Sequence, residues 1–214
     1  MTRCSSFQPE ASSRKTELYL VRHGQSVHNK KQIIAGQLDS ELTGEGIADA
    51  QWVATAIGRS DFDAIYCSDL RRARETTEVI VKTLNLTCPL SLSPLLRELD
   101  FGDYTNQPVS DAFHFLDYKV VQDQGYPGGE SFQDMMKRLA QFVSQIQAEA
   151  LGKRLLVVAH AGSIRMLLMV LDSGHGQQYL TQTFSNRYLG RVILGEKEEE
   201  FSYEMIHNGA VESV

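Results

Sequence analysis

Two histidines stand directly behind short apolar runs. Leu18–Gly24 reads LYLVRHG and delivers Arg22-His23-Gly24; Arg154–His160 reads RLLVVAH and is followed by Ala161-Gly162. Apolar runs stopped by charge and glycine read as buried strands, and open α/β sheets bind ligands where strands present their carboxyl ends. Gly24 lets the backbone turn close to a ligand. Behind His160 a helix begins, and its first amides favour an anion. A third segment, Ser68-Asp69-Leu70-Arg71-Arg72-Ala73-Arg74-Glu75-Thr76, crowds three arginines into the first turns of a helix that Ser68 or Asp69 would cap. Cations there oppose the helix dipole unless an anion compensates them, and arginine grips phosphate oxygens in a planar fork. Finally, Glu98 in Leu96-Arg97-Glu98-Leu99-Asp100 follows apolar residues. A partly desolvated carboxyl group there could hold a proton near neutral pH and act as an acid. Each feature has a plainer reading: a surface turn at His23, a satisfied strand-end histidine at His160, a solvated face for the arginines with Glu75 and Asp69 as partners, and an Arg97 pair for Glu98.

Other chemistries lack their marks. There is no HExxH or closely spaced Asp/His set for a metal, and no GxxxxGK[ST], GxGxxG or GxSxG. The cysteines Cys4, Cys67 and Cys88 form no CxxC and no disulfide framework, which fits a reducing, cytoplasmic setting. No run of eighteen apolar residues spans a membrane, and the first seventeen residues lack the hydrophobic centre of a secretory signal. With 42% apolar residues in 214, disorder is excluded for most of the chain, and the net charge of −6 argues against a nucleic-acid partner.

The elements that must position these residues alternate. Strands are expected at 18–24, 63–68 and 154–160, with two more at 190–194 and 201–206. Helices are expected from Thr43 to Gly58, with Ile47, Ala50, Val53, Ala54 and Ile57 buried, from about Asp69 to Leu84, weakly around 112–122, from Ser131 to about Glu149, and from Ser163 to Leu171. Leu95–Tyr104 reads as a strand or extended loop and Gly125–Ser131 as a loop. This alternation predicts an α/β protein, a three-layer α/β/α sandwich around a mostly parallel sheet. Residues 1–16 read as a loose arm, 17–207 as one domain with a cap segment at about 103–129, and 208–214 as a tail.

Together the segments LVRHGQS, SDLRRARET, LRELDFG, GGES and VVAHAGSIR, in this order over residues 17–206, resemble the histidine phosphatase superfamily with its phosphoglycerate-mutase-like fold, and within it the small branch similar to α-ribazole phosphatase. The resemblance implies a metal-independent histidine acid-type phosphatase without cofactor. His23 would be the nucleophile that forms a phosphohistidine, Arg22 and Arg72 the phosphate-binding arginines, His160 the second pocket histidine, Glu98 the proton donor and Asn29 a further phosphate contact. It implies a small phosphomonoester as the partner, with no nucleic acid and no membrane, and leaves a homodimer open. Two departures bear on the substrate. Tyr104-Thr105-Asn106 replaces the Trp-Glu-Gly of many small phosphatases. The stretch 105–129 carries only Lys119 as a formal cation, poor equipment for a mutase that retains a phosphorylated carboxylate. Phosphomonoester hydrolysis is therefore the expected activity; mutase-type phosphoryl transfer and a non-catalytic phosphate-binding role are the alternatives. The aromatic residues Tyr104, Phe113, His114, Phe115, Tyr118 and Tyr126 would either cover an organic leaving group or pack the cap to the domain.

Overall fold

The computed structural model describes residues 15–59, 61–110, 124–172, 176–195 and 201–209. The expected arm before residue 15, the helix at 112–122, most of the cap's aromatic residues and the end of the tail lie outside these. Six strands form one sheet: β1 (Thr16–Arg22), β2 (Ala64–Ser68), β3 (Leu90–Ser93), β4 (Arg154–Ala159), β5 (Tyr188–Leu194) and β6 (Phe201–Asn208), in the order β3-β2-β4-β1-β5-β6. The first four are mutually parallel, and β5 and β6 extend the sheet antiparallel from β1. Among the described residues five α-helices accompany it: α1 (Val27–Lys30), α2 (Gly44–Ile57), α3 (Arg71–Leu84), α4 (Phe132–Glu149) and α5 (Ala161–Leu171).

Side chains alternate along each strand, so the apolar runs divide between two cores. Leu18, Leu20, Leu155 and Val157 face α4 and α5, against Leu139, Phe142, Ile164 and Leu168. Tyr19, Val21, Leu156 and Val158 face α2 and α3, against Val53, Ile57, Ala73 and Ile80. The α/β/α sandwich is as the alternation predicted. Strand β3 was not expected: its LSLS sequence alternates weakly, and Leu90 and Leu92 stand exposed on the sheet edge. Leu95–Tyr104 is not a strand but two single 3-10 turns, Pro94–Leu96 and Gly102–Tyr104, joined by a loop. In α2 Ile47 is 43% exposed, outside the expected buried face, while Ala50, Val53, Ala54 and Ile57 are buried. Helix α5 begins at Ala161, two residues earlier than the pattern suggested.

The start of α2 lies hard against the turn leaving β1. A Cβ at Gly24 would collide with the Gly46 carbonyl, and one at Gly46 with the Gln25 carbonyl. Two backbones touch there, which only glycine allows. Thr43 caps the helix from Gly46 N and donates to Gln25 Oε1 at 2.8 Å, pinning the same turn. Intrinsic helix propensity favours Ala over Gly by about 1 kcal/mol, but Gly46→Ala should instead destabilise by roughly 1–3 kcal/mol through overpacking. Urea unfolding of the variant checks the sign.

Candidate active site

Register brings the two histidines together. In the β1–β4 ladder Arg22 pairs with Ala159, and His23 N donates to Ala159 O at 3.0 Å. The next residues on the two strands are therefore neighbours, and the rings of His23 and His160 have centroids 5.0 Å apart. Both are buried, at 3% and 0% exposure. Helix α3 supplies Arg72, 2% exposed, whose Nε lies 3.2 Å from both His23 Nε2 and His160 Nδ1. Its two other nitrogens donate to the carbonyls of Leu38 (2.9 Å) and Gly36 (2.7 Å).

These bonds set the tautomers. His23 Nδ1 lies 2.8 Å from the Gly24 carbonyl, an acceptor only, so Nδ1 carries the proton and Nε2 the lone pair. His160 turns Nδ1 to Arg72 and Nε2 to Ser68 Oγ at 2.8 Å. Arg72 Nε can only donate, so His160 Nδ1 accepts, and its Nε2–H donates to the Ser68 hydroxyl. Burial, then the Arg72 and Arg22 charges, push the His23 pKa well below the ordinary histidine value. The same causes, burial first and Arg72 next, depress His160. Burial also lowers the Arg72 pKa, to about 10.

The three arginines of α3 separate as their helical positions require. Arg71 is exposed and pairs with Glu75 at 2.7 Å and Glu41 at 3.0 Å, and Arg74 is exposed. Only Arg72 reaches the histidines. Neither Ser68 nor Asp69 caps α3 in the expected way. Leu70 is the N-cap residue, Asp39 accepts from Arg71 N at 2.8 Å, and Asp69 pairs with Arg97 at 2.6 Å. The Arg97 pair foreseen for Glu98 is thereby taken.

Glu98 instead lies at the mouth of α5. Its Oε1 accepts from Leu99 N at 2.9 Å and its Oε2 from Gly162 N at 3.1 Å. The N-terminus of α5 thus meets the chain's own carboxyl group, and a Cβ at Gly162 would displace it. Arg138 of α4 fixes the Glu98 backbone: it donates to the Leu95 and Glu98 carbonyls and pairs with Glu130 at 2.6 Å. Arg22 donates to the Phe184 carbonyl. Asn29 gives its Oδ1 to the Ser26 amide and hydroxyl in a capping box on α1, which leaves its NH2 group as the end available to a ligand. Arg22, His23, Asn29, Arg72 and Glu98 all line one cavity of about 520 Å3. His160 lies beneath it, behind Arg72.

Sequence reasoning missed several positioning groups. Ser68 was read as a helix cap, yet it sets the His160 ring; its place at the end of β2, level with the other strand ends, was the available signal. Asn186, which donates to the His23 carbonyl at 2.9 Å, and Arg138 gave none, because their partners are 163 and 40 residues away. Arg165 lies in the VVAHAGSIR segment without an assigned role; it donates to the Tyr179 and Gln182 carbonyls and stacks over Phe184.

The fold is that of phosphoglycerate-mutase-like α/β proteins. The model of the histidine phosphatase superfamily (branch 1) matches residues 18–208, and the chain belongs to that family. It is 36% identical over 166 residues to a 2,3-bisphosphoglycerate-dependent phosphoglycerate mutase of Azorhizobium caulinodans, covering 72% of this chain and 81% of the relative. To the adenosylcobalamin/alpha-ribazole phosphatase of Salmonella typhimurium it is 30% identical over 157 residues, covering 71% and 77%. Among solved structures, a putative alpha-ribazole-5'-P phosphatase from Escherichia coli superposes with a TM-score of 0.78 at 22% identity, over 93% of this chain and 99% of that one. Among the described residues no helix is long and apolar enough to cross a membrane.

The depressed histidines tie stability to pH. The folded rings stay neutral where the unfolded rings, with pKa about 6.5, take up protons. The unfolded state then binds more protons, so stability falls as pH drops below that value, by up to about 1.4 kcal/mol per pH unit for each ring. Urea unfolding at pH 7.5 and 5.5 should show this loss, and His160→Gln should remove one ring's share of the slope.

Proposed function

We propose that the protein is a phosphomonoesterase working through a phosphohistidine on His23, without a metal. The observation that carries this reading is the Nδ1–Gly24 bond, which leaves a buried, neutral His23 with its lone pair on Nε2, beside Arg72 and facing the cavity. Arg22 and Arg72 neutralise the phosphoryl oxygens, so that a nucleophile can approach an otherwise repulsive dianion, and stabilise charge during transfer. His23 Nε2 forms the bond to phosphorus as the ester oxygen leaves, and Glu98 gives that oxygen a proton. Water then attacks the phosphohistidine and gives its proton to Glu98, releasing inorganic phosphate and restoring His23. His160 accepts from Arg72 through Nδ1 and so holds that guanidinium in place beneath the phosphoryl group, and the Asn29 amide adds a contact. The positive charge comes from arginine, and among the described residues no three His, Cys, Asp or Glu side chains converge as a metal site.

Phosphoglycerate-mutase-type transfer is the second reading, favoured by the 36% identity to the Azorhizobium caulinodans mutase. Against it, the cavity beyond Arg22, Arg72 and Glu98 is lined mainly by apolar residues, whereas a mutase must hold a phosphorylated carboxylate between half-reactions.

Alkaline quench during turnover of a labelled monoester should yield an acid-labile, base-stable phosphoprotein that His23→Ala abolishes, and chelators should leave the rate unchanged. Retained turnover in His23→Ala, or a rate restored only by a divalent ion, would overturn the mechanism. Glu98→Gln should slow single-turnover phosphorylation by an alkyl phosphate by roughly 10²–10⁴-fold, the usual worth of proton transfer. With p-nitrophenyl phosphate, whose leaving group departs as the anion, the loss should be much smaller. Equal losses on both would assign Glu98 to charge balance instead.

A further inference from the structure

Two cavities meet at the phosphoryl site. They share Arg22, Asn29, Ile33, Val109, Ala161 and Arg165 and differ sharply in what lies beyond. One, of about 490 Å3, is the more polar, with Gln25, Gln32, Glu45, Asp49, Asn186 and Arg187 on its walls. The other, of about 520 Å3, contains His23, Arg72 and Glu98 and is walled by Leu99, Phe101, Tyr126, Phe132, Met135 and Leu180. Glu98 lines only this second cavity.

We infer that the substrate is a phosphomonoester of an uncharged, apolar alcohol or phenol, whose hydrocarbon body occupies the Phe101–Leu180 cavity. The inference rests on the proposed roles of His23 and Glu98. The ester oxygen must lie within reach of Glu98, and the organic group continues from that oxygen. Glu98 is absent from the polar cavity, so the organic group enters the apolar one. A charged leaving group would find little there to pair with. Arg22 and Arg72 are taken by the phosphoryl oxygens and Glu98 by the leaving oxygen. Among the described residues the remaining cation on these walls, Arg165, gives Nε and Nη2 to the Tyr179 and Gln182 carbonyls at 3.2 and 2.8 Å. A second anion would have only its Nη1. The wall is firm as well as apolar: Leu99, Tyr126 and Met135 are buried, and Phe101 and Tyr126 pack at a 4.9 Å centroid distance. Such a surface rewards each methylene that leaves water.

The experiment compares ethyl, butyl and hexyl phosphate, whose leaving groups are almost equally basic, with 3-phosphoglycerate. Expected is a rise in kcat/KM of roughly three- to fourfold per methylene, and so about 10²-fold from ethyl to hexyl, with 3-phosphoglycerate well below hexyl phosphate. Leu180→Arg should flatten the series and raise 3-phosphoglycerate. Affinities for ethyl- and hexylphosphonate, measured calorimetrically on the unmodified protein, read the same wall without turnover and should rise in parallel. A flat series, equal phosphonate affinities, or preference for 3-phosphoglycerate overturns the inference while His23-dependent turnover stands. Loss of His23 dependence, in contrast, strikes the mechanism, and the phosphonate comparison still decides the wall.

Discussion

One buried guanidinium organises the centre of this protein. Arg72 places a single N–H between two imidazoles and closes its other nitrogens onto backbone carbonyls at Leu38 and Gly36. A desolvated cation costs free energy unless its donors are satisfied, and here one loop, two strand ends and a helix must converge to satisfy it. The arrangement also explains why both histidines are held neutral: burial disfavours their protonation, and the fixed positive charge next to them disfavours it further. The same contacts that keep the arginine in place therefore keep the nucleophile candidate unprotonated.

The parallel half of the sheet makes this convergence possible. β1, β2 and β4 run in one direction and end level with one another, so His23, Ser68 and His160 arrive at one edge without long reach. Helix α3 follows β2 directly and brings Arg72 to that edge in its first turn, where a cation opposes the helix dipole. Distant acids stabilise this awkward start: Asp39 accepts the Arg71 amide and Glu75 accepts the Leu42 amide, binding the 36–42 loop to the helix whose arginine it also receives. Loop and helix thus hold each other.

What sequence made legible follows from this geometry. Strands buried on both faces read as continuous apolar runs, and a histidine behind each run marked the edge where chemistry gathers; hence His23, His160 and the sandwich were visible. Arg72 could be singled out from Arg71 and Arg74 only by resemblance, because three arginines within four residues carry the same charge and only helix phase divides them. Glu98 was visible as an acid but not as a helix-end ligand, since its partner Gly162 lies 64 residues away. The tautomers were invisible, for they depend on the Gly24 carbonyl and the Arg72 guanidinium. The edge strand β3 and the 3-10 turns after it escaped because short half-exposed segments have no period to read.

The two cavities also divide the labour of change. The residues proposed to hold the phosphoryl group come from strand ends and the first turns of helices, where a shift would disturb the core. The apolar wall comes largely from the loop after β3, the approach to α4 and the segment following α5, outside the strands themselves. Loops of that kind accept substitution far more readily than the scaffold beneath them. A lineage built on this plan can exchange one clientele for another while its reaction stays the same. Glu98 stands where the apolar cavity meets Arg22, His23 and Arg72, so the path of each new substrate must still run past it.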